Sequence, residues 1–146
     1  MAKGDIKYTA TFEGVTDTRQ SKRNYTHTVF LRFDLRLQKT RGLATYRHDR
    51  KHNRAFYERL AQGPIFESHV EADVERAKRW LAVDEAAGLA ELAARYDAEI
   101  ARFGTGRWLA SGQFAGSLKL AEQVGRSRMR DDSTIIGYEV VEVQRS

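Results

Sequence analysis

Hydrophobic positions recur every three or four residues between residues 68 and 104, and this is the most regular pattern in the chain. Such spacing is typical of amphipathic helices, because about 3.6 residues complete one helical turn. The apolar stripe of the upstream helix comprises Val70, Val74, Ala77 and Leu81, and that of the downstream helix comprises Leu89, Leu92, Ala93, Tyr96, Ile100 and Phe103. We expect this shared stripe to supply most of the hydrophobic core.

Polar residues and glycines mark the ends of these two helices. Ser68, with Glu71 three positions later, predicts a capping box at the first turn of the upstream helix. Asp84 and Gly88 interrupt the apolar face, which favours a break between the helices over a single kinked helix. Gly104 predicts the end of the second helix, because glycine readily adopts the left-handed conformation found there.

Two β-strands are predicted before the helices. Residues 6–12 alternate between apolar and polar side chains, which indicates a half-buried strand that Gly14 ends. Residues 25–37 form the second strand, and its core-facing side chains are Val29, Leu31, Phe33 and Leu35. Residues 15–24 between them are rich in small polar residues and predict a loop. Consecutive strands joined without a helix usually pair, so we expect an antiparallel hairpin with a long basic tip.

The regular pattern is lost after residue 38, and positive charge rises. Residues 39–45 are predicted to form a loop, and residues 46–62 a short helix. The solvent side of that helix is expected to carry four basic residues, Arg47, Arg50, Lys51 and Arg54. Gly63 and Pro64 end it, because proline cannot continue a helix.

The C-terminal part of the chain predicts further alternation of strand and helix. Residues 108–110 indicate a short strand or an extended connection, and apolar spacing from Phe114 to Gly125 indicates a helix. A charged loop over residues 126–132 then leads to a strand over residues 134–143, which is apolar on both faces and therefore expected inside the sheet. The predicted class is α+β, in the order β-β-α-α-α-α-β, with a small, mostly antiparallel sheet and helices packed on one face.

Composition is typical of a folded globular protein. With 146 residues, 41% hydrophobic and 31% charged, the chain predicts a single domain over residues 1–146. No apolar run is long enough for a membrane span, and the N-terminus lacks the apolar core of a signal peptide, so no membrane association is expected. The absence of cysteine fits a reducing compartment, and we expect a cytoplasmic protein. Oligomeric state is left open, with a homodimer formed through an exposed sheet edge as one possibility.

Charge is distributed unevenly along the chain. Residues 1–60 contain 14 Lys and Arg against 6 Asp and Glu, a balance of +8. Residues 61–105 contain 5 against 9, a balance of −4, and residues 106–146 contain 6 against 5, a balance of +1. The net charge of +5 therefore combines a basic N-terminal part with an acidic central helical pair.

No motif in the sequence indicates catalysis, a cofactor or a metal. His48 and His52 lie four positions apart, so both imidazoles would point the same way on a helix, as two metal ligands must. The surrounding arginines and lysines would repel a divalent cation, and no third ligand is apparent, so two solvated histidines are the simpler interpretation. No serine lies in a nucleophile elbow, and no pair of carboxylates has visibly different environments. Residues 112–117 are superficially similar to a phosphate loop but lack its lysine and its spacing.

The basic cluster is the feature with the clearest physical use. Its positive side chains can neutralise phosphates and release counterions, and interleaved tyrosines, Tyr57 among them, can stack on unpaired bases. The residues predicted to bind DNA or RNA are Arg19, Lys22, Arg23, Arg47, Arg50, Lys51, Arg54, Tyr25 and Tyr46. The leading hypothesis is a non-enzymatic module that binds nucleic acid or another polyanion. The alternative is a protein-interaction or inhibitor module, such as a bacterial or phage accessory protein, whose charged faces bind a protein partner.

Overall fold

The computed structural model describes residues 5–146 and confirms the α+β class, with 49% helix and 30% strand. Within these residues the strands are β1 (Ile6–Phe12), β2 (Val15–Ser21), β3 (His27–Asp34), β4 (Gly106–Ala115), β5 (Ile135–Glu142) and β6 (Gln144–Arg145). The helices are α1 (Leu35–Leu60), α2 (Glu71–Leu81), α3 (Glu85–Phe103) and α4 (Leu118–Asp131). The observed order is therefore β-β-β-α-α-α-β-α-β-β, which differs from the predicted order.

The described strands form two antiparallel sheets instead of the single sheet expected. One sheet has the order β2-β1-β6 and the other has the order β4-β3-β5. β3 is thus the central strand of its sheet, and it pairs with β4 and β5 instead of with β1. β5 lies at a sheet edge, which corrects the expectation that its two apolar faces would place it inside.

The predicted loop over residues 15–24 is mostly β2, an edge strand that pairs with β1 from Ile6 opposite Ser21 to Phe12 opposite Val15. Glu13 and Gly14 form the connection and have φ angles of 48° and 75°. Positive φ at both positions matches the tight hairpin turns whose twist fits paired strands. Arg19 therefore lies on a strand and not at a long hairpin tip.

Helix α1 begins eleven positions earlier than predicted, at Leu35. Asp34 Oδ1 accepts hydrogen bonds from the backbone amides of Arg36 (2.9 Å) and Leu37 (3.2 Å), which is the geometry of a helix N-cap. This cap turns the end of β3 directly into a helix, so the strand expected to reach residue 37 and the loop expected over residues 39–45 are both wrong. The helix ends at Leu60, before Gly63 and Pro64 as predicted.

The break between the two central helices is confirmed, since α2 ends at Leu81 and α3 begins at Glu85. Asp84 Oδ1 accepts a hydrogen bond from the amide of Ala87, 3.1 Å away. Gly104, with φ of 78°, follows the end of α3 as expected.

The predicted cap at Ser68 is wrong, because α2 begins at Glu71. Asp73 Oδ2 accepts from the amide of Val70 at 2.9 Å and closes the first turn from inside the helix. Just upstream, His69 Nδ1 accepts hydrogen bonds from the amides of Ile65 and Phe66, each at 3.2 Å, which folds this segment into a turn.

The predicted helix from Phe114 to Gly125 is displaced along the chain. Phe114 lies in β4, Ser117 caps α4 by accepting from the amide of Leu120 at 3.2 Å, and the helix continues through the predicted charged loop to Asp131. Gly125 lies inside α4, where the ring of Tyr138 occupies the space that a larger side chain would need.

The core lies around β3 and not along the two central helices. The largest fully buried side chains are Tyr8, Phe30, Leu31, Leu35, Val29 and Thr28. Val29 and Leu31 pack against Ala121 of α4, while Phe30 meets Phe12 of the other sheet at 5.7 Å between ring centres. Helix α3 has no fully buried residue, so its apolar stripe is only half-buried and the predicted position of the core is wrong.

The chain divides into two compact units. The first unit comprises residues 5–38 and 100–146 of the described chain and contains both sheets and α4. The second unit comprises residues 39–99, with most of α1, all of α2 and most of α3. A small core of Leu60, Val74 and Ala77 holds part of this second unit together. The expectation of a single domain stays a prediction.

Candidate nucleic-acid interface

The nine residues predicted to bind nucleic acid fall into two sets, one in each unit. The set in the first unit is Arg19, Lys22, Arg23 and Tyr25, and the set in the second unit is Tyr46, Arg47, Arg50, Lys51 and Arg54.

The net charge of the protein belongs entirely to the first unit. Residues 1–38 and 100–146 contain 14 Lys and Arg against 9 Asp and Glu, a balance of +5. Residues 39–99 contain 11 against 11 and are neutral. The basic residues of α1 are thus matched by acidic residues later in their own unit, whereas the β-rich unit has unmatched positive charge.

One buried hydroxyl positions the basic segment between β2 and β3. The Tyr8 hydroxyl donates a hydrogen bond to the carbonyl of Arg23 at 2.5 Å and accepts one from the amide of Tyr25 at 3.2 Å. Tyr8 is fully buried, so this attachment is fixed to the core of the first unit. The backbone of Arg23 and Tyr25 is therefore held in place while the side chains of Lys22 and Arg23 are exposed.

Tyr25 supports a cation instead of offering a free ring to a base. The Cζ atom of Arg19 lies 5.1 Å from the centre of the Tyr25 ring, within the range of a cation–π contact. Tyr25 is only 8% exposed and packs edge-on against Tyr8, with ring centres 5.2 Å apart. Phe114 lies on its other side at 5.8 Å. Arg19 thus has a preferred direction, although its side chain is exposed.

A cleft of about 640 Å³, which we call the first cleft, lies beside Arg23 and Tyr25. Arg23 and Tyr25 line one side, the end of β4 from Gln113 contributes Phe114, and α4 contributes Arg128. No carboxylate is found among the described residues that line it. Arg128 Nη1 lies 3.5 Å from Gln113 Oε1, so its guanidinium is turned towards the polar end of β4. The first cleft can therefore accept an anionic group together with a small planar one.

The sequence did not place Arg128, Gln113 or Phe114 in the site. Arg128 falls within the segment predicted to be a charged loop, and Phe114 within the displaced helix. Arginines at positions 126, 128 and 130 were the signal that the sequence offered. Which of them faces the cleft becomes apparent only once α4 is known to extend to Asp131.

Helix α4 is held on β5 by an ionisable pair. The Tyr138 hydroxyl donates a hydrogen bond to Glu122 Oε2 at 2.7 Å, which raises the pKa of the phenol, and burial and the negative charge of Glu122 raise it further. The ring of Tyr138 also packs against Gly125. Together these two contacts fix the orientation of α4 about its own axis relative to β5. The same helix then presents Arg128 to the first cleft.

Arg50 is not on the solvent side of α1, which corrects the sequence prediction. Its side chain is buried, with 5% of the residue exposed, and its Cζ atom lies 3.6 Å from the centre of the Trp80 ring. Its Nε atom lies 3.3 Å from Glu85 Oε1, and Arg54 pairs with that same oxygen. Arg50 Nη2 has no hydrogen-bond partner among the residues described. These contacts indicate that Arg50 stabilises the second unit.

Four residues of the second set do meet at one small cleft. Tyr46, Arg47, Lys51 and Arg54 line a volume of about 330 Å³ that Glu85 also borders. Arg47 and Lys51 are exposed and form no ion pair with any described residue. Two tyrosines that were expected to stack on bases already have contacts within the protein. The Tyr46 hydroxyl packs on Gly88, and Tyr57 stacks on Trp80 with ring centres 4.3 Å apart.

The histidine pair of α1 has the geometry expected from its spacing. The ring centres of His48 and His52 are 3.9 Å apart. Over residues 5–146, no three His, Asp or Glu side chains are grouped so that they could hold a metal ion. The same residues include no helix with the length and apolar character needed to cross a bilayer.

Comparison with protein-family models, with curated proteins and with solved structures finds no match to this chain. The features that bear on function are therefore the side chains themselves. In the first unit these are exposed cations beside a cleft that no described carboxylate lines, and in the second unit Glu85 pairs with two of the four cations, Arg50 and Arg54.

Proposed function

We propose that the protein is a cytoplasmic, non-enzymatic module that binds nucleic acid, or another polyanion, through its first unit. The observation that carries this proposal is the first cleft with its rim. Arg19, Lys22 and Arg23 are exposed and form no ion pair with any described residue. Arg23 lines the first cleft with Arg128, Arg19 lies over the Tyr25 ring that also lines it, and no described carboxylate does.

Counterion release supplies the driving force for such binding. Each phosphate neutralised by lysine or arginine frees condensed cations from the nucleic acid, so affinity falls as salt is added. Guanidinium groups suit this role because their planar N–H donors match the oxygens of a phosphate. The contact with the Tyr25 ring already restricts the conformations of the Arg19 side chain. Less conformational entropy is therefore lost when Arg19 binds a phosphate.

Nucleic acid is favoured over other polyanions by the lining of the first cleft. Gln113 and Asn24 provide amide donors and acceptors, and Phe114 provides an aromatic surface. An unpaired base can hydrogen-bond to such amides and stack on such a ring, whereas a simple acidic peptide uses only the cations.

The α1 set is expected to contribute less than the sequence alone predicts. Glu85 pairs with Arg50 and Arg54, and the second unit is neutral. Arg47 and Lys51 remain as exposed cations of that helix. We therefore assign the main contacts to Arg19, Lys22 and Arg23.

Salt dependence of binding tests the proposal. The affinity of the full chain for a fluorescently labelled single-stranded oligonucleotide is measured by anisotropy between about 50 and 200 mM salt. Three or four phosphate contacts predict a slope of log affinity against log salt between about −2 and −3. Absence of binding at the lowest salt, or a slope near zero, would contradict the proposal.

Competition separates the nucleic-acid proposal from the protein-partner alternative. Unlabelled oligonucleotide is expected to displace the labelled strand at far lower charge concentration than polyglutamate does. Equal displacement by the two polyanions would favour an acidic protein surface as the partner.

A further inference from the structure

A second cleft of about 640 Å³ lies in the first unit, at the opposite end of the β3–β4 pair from the first cleft. The first cleft adjoins the end where His27 pairs with Ala115, and the second adjoins the end where Asp34 pairs with Gly106. Three arginines line this second cleft, Arg32, Arg102 and Arg107.

Aromatic and glycine contacts hold these arginines in position. The Cζ atoms of Arg102 and Arg107 lie 4.8 and 4.0 Å from the centre of the Phe103 ring. Arg32 lies against Gly106, where its guanidinium occupies the space that a larger side chain would need. Because the guanidinium of Arg102 packs on the Phe103 ring, its N–H edge can make a bidentate contact with oxygen atoms.

The charge of the second cleft favours an anion. Glu13 is the one carboxylate among its described lining residues. Arg32 and Arg102 form no ion pair within residues 5–146. Arg32 and Arg102 therefore contribute positive charge that a phosphate bound in the second cleft would neutralise.

The two clefts adjoin opposite ends of β3, so the length of this strand sets the scale of a ligand that could reach both. β3 has eight residues, so its ends are about 23 Å apart at the usual rise of a strand. A nucleic-acid strand in helical geometry carries a phosphate about every 3.4 Å, so about seven nucleotides span this distance.

We propose that the second cleft is a phosphate-binding subsite, and that it takes a backbone phosphate from a nucleic acid whose other end is held at the first cleft. This inference rests on the proposed function. Free phosphate has the same chemistry as a backbone phosphate, so the experiment includes a separate arm for each source.

Trp108 provides a local reporter, because it lines the second cleft. The sequence has two tryptophans, so Trp80→Phe leaves Trp108 as the only one. In this background three probes are titrated: inorganic phosphate, a dinucleotide, and a single strand of about 12 nucleotides. We expect the long strand to change Trp108 emission and to bind much more tightly than the dinucleotide, because its second contact is intramolecular.

The double variant Arg32→Gln/Arg102→Gln tests the subsite directly. We expect it to lower affinity for the long strand about tenfold or more and to reduce the salt slope by about 0.7, since one phosphate contact is lost. Affinity for the dinucleotide should not change. Arg126→Gln/Arg130→Gln is the matched control, because it removes the same charge from the same unit and neither residue lines a cleft.

Each other outcome has a defined meaning. If the long strand binds the double variant and the parent equally, the subsite is wrong and the proposed function stands. If no oligonucleotide binds and phosphate gives no saturable change in emission, both are wrong. In a third outcome no oligonucleotide binds, but phosphate gives a saturable change in emission that the double variant abolishes. The second cleft then binds free phosphate, and the proposal that it takes a phosphate from nucleic acid is wrong.

Discussion

Arginines in the two units of this protein are held in opposite ways. Arg50 of the second unit is buried against Trp80 and pairs with Glu85, so its charge is used within the fold. Arg19 of the first unit rests on the Tyr25 ring and is exposed, with no carboxylate partner among the residues described. The first arrangement stabilises a helical unit, and the second leaves a cation available to a ligand.

The difference shows that a basic cluster in a sequence can combine two roles. Arg50 and Arg54 differ from Arg47 and Lys51 because Glu85 lies beside the first two, 35 and 31 positions along the chain. The role of each side chain in a basic stretch therefore depends on partners that lie outside that stretch. Substitutions in each unit can distinguish these two roles.

Removal of Arg50 is expected to have the largest effect on stability. Arg50→Ala deletes the contact with Trp80 and leaves Glu85 with one partner fewer, so we expect a loss of about 3 kcal/mol in the free energy of unfolding. Urea unfolding followed by circular dichroism measures this change, and hydrogen exchange should show it at the amides of α1 and α3.

Arg54→Ala is the matched control for that substitution. Arg54 pairs with the same carboxylate but is largely exposed, so about 0.5 kcal/mol is expected. Equal losses from the two variants would show that burial against Trp80 does not set Arg50 apart.

Removal of the Tyr8 hydroxyl should have an intermediate effect in the first unit. Tyr8→Phe leaves the carbonyl of Arg23 and the amide of Tyr25 without their partner, so about 2 kcal/mol of stability is expected to be lost. Binding of nucleic acid should weaken as well, because the backbone that carries Arg23 becomes less fixed. Unchanged affinity in a folded Tyr8→Phe variant would show that the hydroxyl does not position the site.

Tyr138→Phe should have a smaller effect, which depends on pH. At neutral pH, loss of the hydrogen bond to Glu122 is expected to cost about 1 kcal/mol. The pKa of Tyr138 is raised in the folded state, so its stabilisation is complete below about pH 10 and is lost as pH rises through the folded-state pKa. Thermal unfolding is measured between pH 8 and the alkaline limit of folding. As pH rises, the unfolding temperature should fall less in Tyr138→Phe than in the parent. Parallel pH profiles would contradict this role.

Local patterns were enough to predict part of the fold. The alternation of residues 6–12, the break near Asp84 and the helix end at Gly104 depend on neighbouring residues, and all three are confirmed. The polar strand β2 was missed because its backbone pairs with β1 whatever its side chains are. Helix α1 was predicted too short because Asp34, its cap, continues the alternating pattern of β3.

The site was less predictable than the fold, because its residues come from distant parts of the chain. Arg23 and Tyr25 could be proposed from local charge and aromatic content. Arg128 joins them through α4, more than 100 positions away, and the burial of Arg50 depends on Trp80, 30 positions away. Neither relationship leaves a periodic signal in the sequence.

Two charge reversals of equal size test the comparison most directly. Arg19→Glu/Arg23→Glu and Arg47→Glu/Lys51→Glu each change the net charge by the same amount, but in different units. In an oligonucleotide-binding assay at fixed salt, we expect the first pair to lower affinity about 100-fold and the second about threefold or less. Equal losses from the two pairs, or a greater loss from the second, would contradict the assignment of binding to the first unit.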